Sequence, residues 1–177
     1  MSIIVSKIKG KGDSQYIQRL FPKFFNKDRF PKVKKQADDG TVEMYIAKKS
    51  GRRVGFVIWH ESSNDWIYID YIAAIGHGEE LIHKLHDIWQ RNGYKGINLD
   101  TFIYDGELPR LASVRRLNYF YNAGYHTDVI DYPSPGHVMF HMTYKFKQRK
   151  KQGGYDDEKI DGGVIKGHSI SNFPRGY

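Results

Sequence analysis

Residues 76–81 read Gly-His-Gly-Glu-Glu-Leu, and the prediction of the fold depends most on this stretch. It follows a predicted strand and opens a predicted amphipathic helix over residues 79–92, whose apolar stripe starts at Leu81. Gly76 and Gly78 lack a Cβ atom, so a ligand can approach their backbone closely. The first N–H groups of a helix have no intrahelical partner and carry a partial positive charge. The stretch therefore predicts an anion-binding turn suited to a phosphate.

The chain before this turn carries a series of strand signals. Residues 2–8 predict a short strand, and residues 15–25 predict a helix capped by Asp13 and Ser14. The polar, basic stretch 26–40 predicts either a loop or a second short helix. Alternation of apolar and polar residues then predicts three strands, at residues 41–48, 54–60 and 66–72. Short turns separate these three strands, which therefore form an antiparallel meander.

The chain after the turn alternates between helix and strand patterns. The patterns predict, in order, a strand over 97–103, a helix over 111–122, and closing strands over 125–130 and 137–146. The predicted fold class is α/β (α+β), with a mixed, mostly antiparallel central sheet of about six to seven strands and about four helices. Residues 1–146 form the predicted domain. Residues 147–177 are basic and glycine-rich and predict a flexible tail.

Composition narrows the class of protein. The chain has no cysteine, which excludes a disulfide framework, a thiolate zinc site and a cysteine nucleophile. Its net charge of +8 suits a polyanionic partner, such as nucleic acid or a phosphorylated ligand, although a solvated basic surface explains it equally well. No apolar run is long enough for a membrane span or a signal peptide. We therefore expect a cytoplasmic monomer or homodimer that does not contact the membrane.

Two segments resemble the GNAT superfamily of N-acetyltransferases. The turn at 76–81 is similar to the G-x-G-x-x-L end of that family's acetyl-CoA loop. Residues 118–125, Asn-Tyr-Phe-Tyr-Asn-Ala-Gly-Tyr, resemble the family's late helix. The resemblance implies a GNAT-like domain over residues 1–146 that transfers an acetyl group from acetyl-CoA to an amine by direct attack. It implies that acetyl-CoA is held by Tyr71, Ile72, Ala73, Gly76, His77, Gly78 and Glu79.

The implied reaction needs a base, because an alkylamine is protonated at neutral pH. Asp70 and Asp100 lie near the ends of the two predicted strands that border acetyl-CoA in the family's fold, and they are the candidates. His60 and Glu61 end another predicted strand and are held in reserve. The acceptor amine is carried by a protein, a small molecule or a nucleic acid such as tRNA or DNA.

Three positions depart from the family's usual pattern. Ala73 and Ala74 stand where the family usually has Gln or Arg and then Gly, and Phe120 stands where it often has Tyr. Tyr119 and Tyr121 flank Phe120, and they are the candidates for the catalytic phenol. These departures leave a second class open, in which a non-catalytic module of this fold binds CoA or nucleic acid.

Two other sequence features concern a dinucleotide-binding turn and a metal site. A dinucleotide-binding turn requires a third glycine where this chain has Leu81, so that class is rejected. His83 and His86 are predicted to be solvated on the face of their helix opposite Leu81, and no metal site is predicted there. Arg115 and Arg116 adjoin the aromatic late helix. They are candidates to contact nucleic acid or the 3′-phosphate of CoA.

Overall fold

Seven strands form one sheet in the computed structural model, which describes residues 2–104 and 107–147. The strands are β1 (Ile4–Lys7), β2 (Glu43–Lys49), β3 (Arg52–Ser62), β4 (Trp66–Ala74), β5 (Gly96–Tyr104), β6 (His126–Ser134) and β7 (His137–Lys145). Their spatial order is β1-β2-β3-β4-β5-β7-β6, and every neighbouring pair is antiparallel except β4 and β5. The predicted mixed, mostly antiparallel sheet is confirmed.

Helices cover both faces of the sheet. They are α1 (Lys11–Leu20), α2 (Phe30–Asp38), α3 (Gly78–Arg91) and α4 (Glu107–Asn122). The helices α3 and α4 bury Leu85, Trp89 and Leu117 against one face, while α1 and α2 bury Ile17 and Val33 against the other. Burial of each such side chain stabilises the fold by about 1.5–3 kcal/mol. No helix in the described part of the chain is long and apolar enough to cross a membrane.

The parallel strands β4 and β5 separate partway along their length. They pair only from Trp66 opposite Gly96 to Ile69 opposite Leu99. Beyond this point β4 continues to pair with β3, and β5 continues to pair with β7. The sheet therefore opens into a gap whose apex lies just after Ile69 and Leu99.

The predicted cap of the first helix is wrong. Helix α1 begins at Lys11, so Asp13 lies inside its first turn, where it is buried. Its carboxylate accepts a hydrogen bond from the Lys9 N–H at 3.1 Å and pairs with Arg53 at 2.7 Å and Lys48 at 3.2 Å. Arg53 and Lys48 are distant from Asp13 in sequence, so local sequence signals gave no indication of these two partners.

The predicted exposure of His86 is also wrong. Its ring is buried and stacks on Tyr144 of β7 with 4.0 Å between ring centroids, and its Nε2 lies 3.1 Å from the Tyr125 hydroxyl. Burial lowers the pKa of His86 to about 4. Aromatic residues from β7 cover a helix side that periodicity alone assigned to solvent. His83, on the same helix, is exposed as predicted.

Other boundaries shift because of proline. The stretch 26–40 contains α2, with Pro31 near its start, where the missing N–H removes no helical hydrogen bond. Helix α4 begins at Glu107, so Pro109 lies in its first turn rather than in a preceding loop. Strand β6 continues through Pro133 to Ser134, beyond its predicted end at residue 130. The predicted tail, apart from residue 147, lies outside the described residues.

Candidate functional site

The gap between β4 and β5 widens into a cleft of about 530 Å³. Its walls are the diverging halves of the two strands, the start of α3, the inner side of α4 and the turn that follows α1. The residues of β4 from Asp70 to Ala74 have no strand partner on the β5 side. Their backbone groups on that side are therefore available to an extended ligand, as at any unpaired strand edge.

Asp70 lies at the apex of this cleft because of a β-bulge. In the pairing of β3 with β4, Ile58 faces Tyr71 and Trp59 faces Ile69, so Asp70 is the extra residue. A bulge of this kind bends a strand and redirects a side chain. The predicted candidate therefore lies where the two strands part, and it lines the cleft.

His60 of β3 is the side-chain partner of Asp70. The distance from His60 Nδ1 to Asp70 Oδ2 is 2.7 Å. Burial raises the pKa of the Asp70 carboxyl above its usual value, and the hydrogen bond with His60 acts in the opposite direction. A carboxylate with a raised pKa is a better proton acceptor near neutral pH. Glu61, the other reserve candidate, bonds to the Tyr94 hydroxyl at 3.1 Å and does not line the cleft.

Asp100 lines the cleft opposite Asp70, but both of its oxygens are engaged by side chains. The Tyr68 hydroxyl donates to Asp100 Oδ2 at 2.7 Å, and His141 Nδ1 lies 2.7 Å from Oδ1. His141 Nε2 lies 2.7 Å from Asp131 on β6. The hydrogen bond to Asp131 raises the pKa of His141, and the bond to Asp100 adds to the effect. Asp100 is thus held in a network across four strands.

The predicted anion-binding turn lies at the other end of the cleft. Gly76 adopts a φ of 70°, a conformation that glycine accommodates without strain. His77 is the residue before α3, and Gly78 is the first helical residue and lines the cleft. Gly76, His77 and Glu79 surround a second depression that shares Gly78 with the cleft.

The two glutamates of this turn behave differently. The Glu79 side chain is 86% exposed, and among the described residues its only ion-pair partner is His83, 4.0 Å away. Glu80 is held away by Lys49, 2.6 Å distant, and by the Ile3 N–H, 2.9 Å distant. The hydrogen bond with Lys49 lowers the pKa of Glu80. The charge of Glu80 is therefore compensated inside the protein.

Of the two tyrosines predicted as catalytic, the structure brings one to the cleft. The Tyr119 ring lines the cleft, and its hydroxyl donates to the Gly78 carbonyl at 2.5 Å. Burial raises the pKa of Tyr119, and the charge of Glu79 adds to the effect. Tyr121 lies outside the cleft, is 42% exposed and bonds to Thr127 at 2.6 Å. Phe120 is buried.

The remaining predicted residues also face the cleft. Tyr71, Ile72 and Ala73 contribute to the β4 wall. Because Ala73 and Ala74 have small side chains, neither supplies a polar side-chain contact to a ligand. Arg115 and Arg116 of α4 also line this cavity and carry the nearest guanidinium groups.

These features fit the shape and charge of acetyl-CoA. An elongated ligand with a thioester at one end and phosphates at the other needs an apolar channel that ends at a cationic or N–H-rich site. The cleft provides the Ile72 and Leu81 walls, the start of α3, and Arg115 and Arg116. In the described part of the chain, no group of three or more His, Asp or Glu side chains could hold a metal ion.

Comparison with known proteins gives matches in structure only. No protein-family model matches the chain, and no curated protein matches it. An inferred GNAT-family acetyltransferase from Desulfovibrio desulfuricans superimposes with a TM-score of 0.64 at 12% identity, over 81% of this chain and 99% of that one. This chain has the GNAT fold. The GNAT fold prediction is confirmed for the described residues.

Two further solved structures share the GNAT fold. An acetyltransferase from Bacillus subtilis, in complex with CoA, has a TM-score of 0.60 at 16% identity, over 82% of this chain and 100% of that one. The ribosomal-protein-S18-alanine N-acetyltransferase from Escherichia coli has a TM-score of 0.59 at 13% identity, over 85% and 97% of the two chains. At these identities the likeness concerns the fold and does not by itself establish an activity.

Sequence reasoning missed the network behind Asp100 and one wall of the cleft. Tyr68, His141 and Asp131 meet through strand pairs that are far apart in sequence, and no local signal reports such pairing. Alternation along β7 does indicate that His141 lies on the face opposite Met142. The sequence does not predict that Phe24 and Lys23 line the cleft, because its pattern places both residues inside the helix over 15–25 rather than in the turn after α1.

Proposed function

We propose that this chain is an acetyl-CoA-dependent N-acetyltransferase. The observation that carries the proposal is the separation of β4 from β5, with Asp70 at the apex and the open start of α3 at the other end. Acetyl-CoA supplies an activated thioester carbon to be attacked by an amine. This geometry supports a ternary complex in which acceptor and donor meet at the apex.

Binding of the donor rests on backbone groups. The free edge of β4 beyond Ile69 would pair with the amides of an extended pantetheine chain, as an added strand does. The first N–H groups of α3 would bind the pyrophosphate, since they are unpaired and lie at the positive end of the helix dipole. Ala73 stands where the family usually has Gln or Arg and offers no polar group to the phosphates. Arg115 and Arg116 would supply positive charge in its place.

Asp70 is the proposed general base. It takes a proton from the ammonium group of the acceptor, and the freed amine attacks the thioester carbon. The new C–N bond forms, the C–S bond breaks, and the second proton that the nitrogen loses ends on the departing sulfur, which leaves as the thiol of CoA. Among the described residues, only one oxygen of Asp70 has a side-chain partner, whereas both oxygens of Asp100 are engaged. His60 orients the Asp70 carboxylate. We assign to Asp100 the role of an anion that attracts the cationic acceptor.

Tyr119 is the proposed hydrogen-bond donor to the leaving thiolate. Its raised pKa keeps the phenol protonated at neutral pH, so that it can donate. The phenol has a single proton, which it donates to the Gly78 carbonyl in the structure, so this role requires the hydroxyl to turn from Gly78 to the sulfur when the ligand is bound. Tyr121, which lies outside the cleft, is given no role in the reaction.

The experiment that tests the proposal identifies the acceptor as well. Purified protein is incubated with acetyl-labelled acetyl-CoA and a cell extract, and labelled products are detected by mass spectrometry. We expect a labelled amine in the sample with the native protein, and a strongly reduced signal with Asp70→Asn, which preserves the size of the side chain. If the native protein binds CoA but labels nothing above a boiled control, the fold serves as a non-catalytic CoA-binding module.

A further inference from the structure

Positive charge is concentrated in one part of the molecule. Residues 1–53 contain 14 Lys and Arg against 5 Asp and Glu, whereas residues 54–104 contain 3 against 7. The second region includes the cleft carboxylates Asp70 and Asp100. The net charge of the chain therefore does not arise from an even scatter of lysines.

Two groups of cations in the first region differ in their pairing. Several near β1 and β2 are paired: Lys49 with Glu80, Lys7 with Glu43, and Arg53 with Asp13. Those in the turns before α2 and on α2 itself are exposed to solvent, and one of them, Lys34, is paired with Asp38. We call the remaining members of this second group the basic face, and it consists of Lys23, Lys27, Arg29, Lys32 and Lys35.

The basic face carries more cations than nearby acids. Among the described residues, Lys23, Lys27, Arg29 and Lys32 form no ion pair, although the exposed Asp28 lies between Lys27 and Arg29 in sequence. Lys35 has the carboxylate of Asp39 nearby. Lys32 and Lys35 are three positions apart and therefore lie on the same side of α2, and Arg29 is the residue immediately before the helix. The opposite side of the helix is held in the core by Phe30 and Val33. The helix thus presents these cations to solvent.

An exposed aromatic ring adjoins the basic face. Phe24 follows Lys23 in sequence and is 47% exposed, and both residues line the mouth of the cleft. Its neighbour Phe25, with ring centroids 6.4 Å apart, packs on Tyr71 at 5.0 Å and so anchors the turn. A flat apolar ring beside unpaired cations provides a stacking surface next to phosphate-binding groups.

We propose that the basic face and Phe24 together bind single-stranded nucleic acid, with phosphates on the cations and one base stacked on the Phe24 ring. The charge pattern alone would also accept an acidic polypeptide. The ring favours nucleic acid, because every base has a face that stacks and acidic side chains have none. An unpaired strand is favoured over a duplex, because only its bases are free to stack. The proposal does not rest on acetyl transfer, although Phe24 and Lys23 also line the mouth of the cleft.

The test measures the binding of a fluorescein-labelled single-stranded RNA 12-mer to the full chain by anisotropy, across a salt series and without acetyl-CoA. The test variant carries Lys27→Gln, Arg29→Gln and Lys32→Gln. The matched control carries Arg91→Gln, Lys145→Gln and Lys147→Gln, which remove the same charge from exposed positions near the end of α3. A further variant, Phe24→Leu, keeps an apolar side chain but removes the ring.

We expect the test variant to lose at least tenfold in affinity near 100 mM salt. The slope of log affinity against log salt should fall by about two, since each phosphate contact to a single strand contributes about 0.7. The control variant should change both quantities much less. Phe24→Leu should lower affinity about tenfold with the slope unchanged.

Three results would overturn the proposal. Equal losses in the two triple variants would mean that only net charge matters. Displacement of the RNA by polyglutamate at equal charge concentration, with no effect of Phe24→Leu, would indicate an acidic polypeptide as the partner. No binding of the RNA at low salt would show that the basic face does not bind nucleic acid. Because acetyl-CoA is absent from the assay, none of these results bears on the proposed acetyl transfer.

Discussion

Replacement of Gly78 by aspartate should weaken the binding of a phosphate at this turn without destabilising the fold. A Cβ atom added at Gly78 would lie 3.4 Å from the Tyr119 ring and 3.6 Å from its hydroxyl, an ordinary contact distance. The residue is the first of α3, where an acidic side chain favours the helix dipole by about 0.3–1 kcal/mol. We therefore expect Gly78→Asp to fold with unchanged or slightly higher stability.

The same carboxylate would stand next to a bound pyrophosphate. Two unit charges about 5 Å apart repel by about 1 kcal/mol in water and about 3 kcal/mol at a partly buried site. The affinity for CoA should therefore fall between about 5-fold and 150-fold. Gly78→Asn is the matched control, because it has nearly the same shape without the charge.

Titration calorimetry with CoA measures both variants, and chemical denaturation measures their stability. The expected order of affinity is native, then Gly78→Asn, then Gly78→Asp, with the gap between the last two narrowing at high salt. Equal affinities for the asparagine and aspartate variants would refute the assignment of a phosphate to this turn.

Three further predictions concern individual side chains. As the pH falls, kcat/KM should decrease when Asp70 becomes protonated, and because the pKa of Asp70 is raised, this decrease should occur at a higher pH than for an ordinary aspartate. The same decrease in the Asp70→Asn variant would contradict the assignment of Asp70 as the base. Tyr119→Phe should lower kcat, measured by thiol release, about tenfold, with little change in the affinity for acetyl-CoA. An unchanged kcat would contradict the role of Tyr119 as hydrogen-bond donor to the thiolate. The pKa of His86 is about 4 when folded and about 6.5 when unfolded, so the unfolded chain binds the proton first and stability falls as pH drops from 6.5 to 4. That loss, about 3 kcal/mol by denaturation, should be absent in His86→Gln and retained in the exposed control His83→Gln.

Local patterns predicted most of the helices and strands and the glycine turn before α3, whereas the anion-binding role of that turn stays a prediction. The 76–81 stretch combines a change of period with glycines before a helix, and these signals need only neighbouring residues. Alternation in the meander likewise predicted three strands in antiparallel order, which the structure has. The network around Asp100 joins β4, β5, β6 and β7, so it depends on strand pairing that no local pattern contains.

The choice between Tyr119 and Tyr121 shows what helical periodicity cannot predict. The buried residues of this part of α4 are Leu117, Phe120 and Ala123. At 3.6 residues per turn, Tyr119 and Tyr121 each lie about 100° from the centre of that buried stripe, on opposite sides. Periodicity therefore treats them alike. The cleft exists on only one side of the helix, and that asymmetry comes from the separation of β4 and β5.

Hydrogen exchange with and without acetyl-CoA tests the central claim most directly, because it reports both binding and its location. If the ligand pairs with the free edge of β4 and with the start of α3, exchange should slow in peptides covering residues 70–81. Peptides from β2, on the far side of β3, should exchange unchanged. Unaltered exchange over residues 70–81 at millimolar acetyl-CoA would contradict the account.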